Sequence, residues 1–239
     1  MDIKKQYFDL VKTRTAAAYV SQKEKMQKVA AMFGQCMDNG GVVQLFGFHH
    51  CEEFVNELNY RAGGIAPYHG LKFRDMMLMG YVKQEDIDSG AIMNDTSVVG
   101  LFGKAYKLDP RDLYVIVSFD GTEPLCVALA RKMKEEGHKL VAVVNKVSYD
   151  KNNGSLLEYC DEYIDMTAED PDVAFEIGGY KVGQVSSTVT NIIAQMLTAE
   201  LYDWYVSNGK EAPVLLSANV KGADVHNNSL TDPYEGRVR

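Results

Sequence analysis

Positive charge is in short supply. Lysine and arginine number 25 against 33 aspartates and glutamates, a formal net charge of −8. That balance argues against a nucleic-acid partner, because holding a phosphate backbone needs a basic face. The GRVR at the C-terminal end is too short to reverse it. Also missing is any apolar run near the ~18 residues of a membrane span. MDIKKQYFDLVK at the N-terminal end is amphipathic and has no signal-peptide core. The expectation is a cytoplasmic protein with no membrane partner. Cys36, Cys51, Cys126 and Cys160 form no CxxC pair, so reduced thiols are expected and a structural zinc site is not. A GxGxxG fingerprint is absent as well, which disfavours NAD.

What is present is an ordinary globular balance. The 239 residues are 46 % hydrophobic and 24 % charged, enough for one large α/β domain with additions or two small ones. No repeat and no low-complexity linker interrupts them.

The most telling stretch is LYVIVSFDGTEP, from Leu113 to Pro124. Leu113, Tyr114, Val115, Ile116 and Val117 form the continuous apolar run of a strand covered on both faces. Gly121 turns the chain, Thr122 can cap a helix, and Pro124 suits its first turn. Similar runs predict strands over 42–46, 65–68, 140–144 and 162–165. Helical spacing predicts helices over 3–38 with a break near 19–22, and over 51–62, 96–106, 123–136 and 186–207. Residues 69–95 read as short helices or a long active-site loop, and 167–183 as loop. The segment 213–239 is too irregular to assign, although Val214, Leu215 and Leu216 should be buried. Strand alternating with helix predicts a parallel sheet with helices on both faces. Ligands of such sheets sit beyond the carboxyl ends of the strands.

Three loops converge there. The first, GFHHCEEF, offers His49, His50, Glu52 and Glu53 for proton transfer or metal ligation. It equally suits a polar rim with acids at a helix start. The second offers the hydroxyls of Ser118 and Thr122, with Gly121 for close backbone approach. Its Asp120 is the difficulty. Two unit charges ~4 Å apart repel by ~4 kcal/mol at an effective dielectric near 20. Beside a phosphate, Asp120 must point away, pair with a cation, or bond a sugar hydroxyl or amine; otherwise it only caps a turn. The third, Ser186-Ser187-Thr188, opens the long helix and is either an anion site or an ordinary N-cap. In the tail, His226 is either a surface residue or a site residue reaching over the crevice or into a neighbouring subunit.

The chain resembles the SIS (sugar isomerase) domain family, and most closely the single-domain bacterial branch of phosphosugar isomerases and phosphosugar-binding proteins. NGGVVQLFGFHH, YRAGG, the strand with SFDG, VAFEIGGYKVGQVSST and APVLLSANVKGADVHNN carry the resemblance. It implies a three-layer αβα sandwich with a five-stranded parallel sheet, the flavodoxin-like SIS fold. The expected organisation is one domain over 1–239, with a helical extension over about 1–40 and a tail over about 210–239. The family's first loop runs Gly-Ser-Gly-His-Ser; Gly47 and His50 match it, and Phe48, His49 and Cys51 depart. Its second loop runs Ser-Asn-Ser-Gly; Ser118 and Gly121 match, and Phe119 and Asp120 depart.

The resemblance implies binding of a sugar phosphate or related carbohydrate derivative and aldose–ketose isomerisation by acid/base proton transfer. No cofactor or metal is expected, and a homo-oligomer, dimer or tetramer, is. Candidate acids and bases are His50, Glu53, Glu57 and His226. Candidate ligand contacts are Gly47, Phe48, His49, Ser118, Asp120, Gly121, Thr122, Ser186 and Ser187. The alternatives are a non-catalytic sugar or amino-sugar sensor, and metal-dependent hydrolysis through His49, His50 and Glu53.

Overall fold

Five parallel strands in the order β2-β1-β3-β4-β5 form the centre of the protein. They are β1 (Val43–Gly47), β2 (Tyr68–Gly70), β3 (Leu113–Val117), β4 (Lys139–Val144) and β5 (Glu162–Asp165). This is a computed structural model, and it describes residues 2–168, 170 and 172–238. β1 and β3 are buried along their whole length, which is why their sequences are apolar without alternation. Successive side chains still point to opposite faces. Val43, Leu45, Val115, Val117, Val141, Val143 and Ile164 face one helical layer. Phe46, Tyr114, Ile116, Leu140, Ala142 and Val144 face the other.

The helices are α1 (Ile3–Ser21), α2 (Lys23–Asp38), α3 (Glu52–Leu58), α4 (Phe73–Leu78), α5 (Gln84–Asp88), α6 (Val99–Ala105), α7 (Pro124–Glu135), α8 (Lys146–Lys151), α9 (Ser186–Ser207) and α10 (Ala223–Thr231). α1, α2, α3 and α9 contribute to the first layer; α4, α6 and α7 contribute to the second. The result is the expected three-layer sandwich. α2 buries Met26, Val29, Ala30 and Phe33, and α9 buries Val189, Ile193, Leu197 and Leu201, each a stripe at helical spacing. The expected break in the N-terminal helix falls at Gln22, whose Oε1 accepts from Asp165 N at 3.1 Å and so pins the break to the end of β5.

Several boundaries differ from expectation. The second strand is Tyr68–Gly70 rather than 65–68; Ile65 instead bridges antiparallel to Val214 of the tail. The helix expected over 51–62 opens as a 3-10 turn at His49–Cys51 and ends at Leu58. It stops because Asn59 turns extended and accepts from Gly70 N at 3.0 Å. The loop after β5 contains an antiparallel hairpin, β6 (Phe175–Ile177) with β7 (Tyr180–Val182). The tail forms α10, and Leu216 is exposed while Leu215 is buried.

Candidate functional site

β1 and β3 are neighbours, and their register pairs Gly47 with Val117. The loops that leave these two residues therefore start side by side at the carboxyl edge of the sheet. Between them lies a cleft of about 450 Å³. Phe48, His49, His50 and Cys51 form one wall, and Thr122, Glu123 and Pro124 another. Gly90, Met93 and Asn94 close it from the segment over 69–95, read from the sequence as short helices or a long active-site loop and folded as short helices.

The first loop turns sharply because Gly47 has no side chain; a Cβ there would stand 2.6 Å from the Cys51 carbonyl oxygen. His49 adopts a positive φ of 51°, rare for a residue with a side chain. Its ring packs against Phe48, tilted by 30° with 4.0 Å between centroids. His50 sets its ring edge against Phe119 at 5.8 Å. Cys51 is buried, and burial is the main cause that pushes its thiol well above the ordinary range; the negative charges of Glu123, Asp172 and Asp120 add to it. Such a thiol is not poised as a nucleophile.

The second loop is tied up within itself. Ser118 is buried; its Oγ accepts from Gly121 N at 2.8 Å and donates to Glu123. Asp120 Oδ1 accepts from Thr122 N at 3.0 Å and Thr122 Oγ1 at 2.6 Å, and its Oδ2 accepts from Asn152 Nδ2 at 3.1 Å. Asp120 thus holds a turn. Thr122, expected to cap α7, serves that turn instead, and Glu123 occupies the N-cap position before Pro124. Gly121 has φ 69° and lies on the Tyr149 ring, where a Cβ would come within 2.7 Å.

The start of α9 is also taken. Asp172 Oδ1 accepts from Val185 N at 3.0 Å and Ser186 N at 2.9 Å, and its other oxygen accepts from Ser186 Oγ. A carboxylate of the chain stands where the helix end would attract an anion.

The remaining candidates lie outside the cleft. Glu53 is exposed at the start of α3. Glu57 pairs with Arg61 and accepts from Gln195 Nε2 at 2.7 Å. His226, on α10, donates from Nε2 to Val214 O at 2.9 Å. Of the expected acids and bases, the cleft therefore gathers His50; of the expected ligand contacts it gathers Phe48, His49 and Thr122. Gly47, Ser118, Asp120 and Gly121 shape its loops, while Ser186 and Ser187 stand at the start of α9. Among the described residues no three of His, Cys, Asp or Glu are grouped so as to hold a metal ion.

Sequence reasoning missed Glu123, Asn94 and Met93 as wall residues. For Glu123 the signal was present: an acid directly before a helix-opening proline, one residue beyond the hydroxyl loop. Asn94 and Met93 carry no such local mark.

A family model described as SIS domain matches residues 6–145. A UPF0309 protein of Geobacillus kaustophilus is 28 % identical over 243 residues, covering 98 % of this chain and 94 % of its own. A UPF0309 protein of Listeria monocytogenes is 26 % identical, covering 91 % and 90 %. Among solved structures, an Escherichia coli CFT073 protein in complex with a sugar phosphate matches with TM-score 0.54 at 14 % identity, covering 84 % of this chain and 89 % of its own. A phosphoheptose isomerase from Francisella tularensis matches with TM-score 0.52 at 12 % identity, covering 85 % and 99 %. The Vibrio vulnificus NanR protein complexed with ManNAc-6P matches with TM-score 0.54 at 11 % identity, covering 99 % and 71 %. These structural likenesses concern the fold.

Proposed function

This chain belongs to the SIS domain family, and from that premise we propose that it binds a small sugar derivative in the cleft beyond β1 and β3 and interconverts its aldose and ketose forms. The observation that carries the reading is the presence of both His50 and Glu123 in the walls of one cleft. Enediol chemistry needs one group to take the proton from carbon 2 and another to move protons on the oxygens. An imidazole and a carboxylate on facing loops meet that need without a cofactor. Sugar phosphates are the first ligand class to try, since proteins of similar fold bind them, ManNAc-6P among them. A homo-oligomer belongs to the same reading, with His226 offered to the cleft of a second copy; light scattering reads the assembly.

A second reading, binding without turnover, is favoured by the position of Glu53, Glu57 and His226 outside the cleft of this chain. The experiment is a thermal-shift screen of sugar phosphates and their unphosphorylated and amino counterparts, since a ligand of the native state raises the melting temperature. Stabilising sugars are then incubated in D2O and followed by NMR. Deuterium entering at carbon 2, lost in His50→Ala, supports isomerisation. Stabilisation with no exchange supports the binding protein. No stabilisation by any sugar overturns both.

A further inference from the structure

The cleft wall carries one carboxylate, Glu123, that no described cation answers. Ser118 Oγ donates to Glu123. Thr122 N and Oγ1 donate to Asp120. Val185 N, Ser186 N and Ser186 Oγ donate to Asp172. The hydroxyls of Ser118, Thr122 and Ser186, which the second and third loops had to offer a phosphate, thus each already hold a carboxylate of the chain. Among the described residues no lysine, arginine or histidine forms an ion pair with Glu123, Asp120 or Asp172. Nor does any described lysine or arginine line the cleft.

A phosphate dianion entering here has two routes, and both are costly. It can displace a carboxylate, which then loses charge-assisted hydrogen bonds. Or it can sit beside Glu123 in the wall, where like charges repel. An ammonium group in the same place gains what the phosphate loses. Glu123 is the carboxylate in the wall, half-buried and bonded to the neutral Ser118. It has acceptor capacity left for a cation, since an ionised carboxylate offers about four lone-pair sites.

We propose that the cleft selects a sugar bearing a protonated amine in place of a phosphate, with the ammonium paired to Glu123 and the hydroxyls contacted by His49, His50 and Asn94. This rests on the reading of the cleft as a sugar site and names the charge class that site takes.

The test is calorimetric titration of the full chain with matched probes: D-glucosamine, D-galactosamine and D-mannosamine, the parent hexoses, and the 6-phosphates of both sets. An amino sugar is expected to bind at least about tenfold more tightly than its parent hexose, a difference of about 1.4 kcal/mol. The parent's 6-phosphate is expected to bind no better than the parent. Glu123→Gln, which keeps a partner for Ser118, should remove the amine preference while neutral-sugar binding persists. Rising salt should weaken the amine and leave the parent unchanged. Binding of a 6-phosphate at least as tight as that of its amine counterpart overturns the proposal and leaves the sugar site standing. Failure of every probe, charged or neutral, removes the sugar site itself and the proposal with it.

Discussion

Arg237 donates from its guanidinium to Asp112, joining the far C-terminal segment to the amino end of β3. Both side chains are buried. Asp112 also accepts from Val42 N at 2.8 Å, Gln44 Nε2 at 2.9 Å and Asp109 N at 3.0 Å. Gln44 in turn meets His69 Nδ1 at 2.7 Å. One buried acid thus links β1, β2, β3 and the tail.

Arg237→Met is expected to cost about 3–5 kcal/mol, the usual loss when one partner of a buried ion pair is removed and the other stays charged. Urea denaturation reads it. With Asp112→Asn added, the double variant should lose less than the two single losses combined, because the orphaned charge is gone.

His69 makes stability fall in mild acid. Burial holds its ring down to about 4, below the ordinary 6.5. The unfolded chain binds a proton as pH drops past about 6.5 while the native ring stays neutral. The stabilisation is therefore complete above that pH and lost as pH falls through about 4. The expected loss is on the order of 3 kcal/mol. Denaturation midpoints at pH 7 and pH 4.5 measure it, and His69→Gln should flatten the slope.

Asp172→Ala should lower stability by about 1–2 kcal/mol, because the first amides of α9 lose their acceptor and the helix its terminal charge. Sulfate should then raise the melting temperature of the variant more than that of the native chain. An equal rise in both would show that Asp172 does not fill an anion position.

The thiols should be silent in the folded protein. Cys36, Cys51 and Cys126 are buried. Burial pushes Cys36 and Cys160 up to about 12 and Cys126 well above its ordinary value. A disulfide reagent at pH 7.5 should titrate none of the three buried thiols quickly, and all four cysteines after urea. Prompt reaction at Cys51 would contradict its burial.

The central strands were legible because Leu113 to Val117 is covered on both faces and is therefore apolar at every position. α9 was legible because one face repeats every three or four residues. β2 was not, since it is an edge strand whose middle residue, His69, serves a polar network. α10 buries only Ala223 and Thr231 and so leaves little apolar rhythm to find. Within the site, the glycine and hydroxyl loops could be read from local pattern. What Asp120 does could not: turn, cation and sugar were all open, and the choice falls to Thr122 and Asn152. Asp172 lies 14 residues before the helix it serves, and no local rule pairs residues at that distance.

Gly121 has a mechanical consequence. Its Cα lies on Tyr149, and its carbonyl accepts from Ser155 N at 3.1 Å and Leu156 N at 3.2 Å. The second loop therefore hangs from the segment after β4. That makes it a stiff jaw. The opposite jaw is the turn Ala91–Asn94, met by His49 across Gly90. Under the proposed reading, a sugar that enters meets in this tethered loop the wall that carries Glu123.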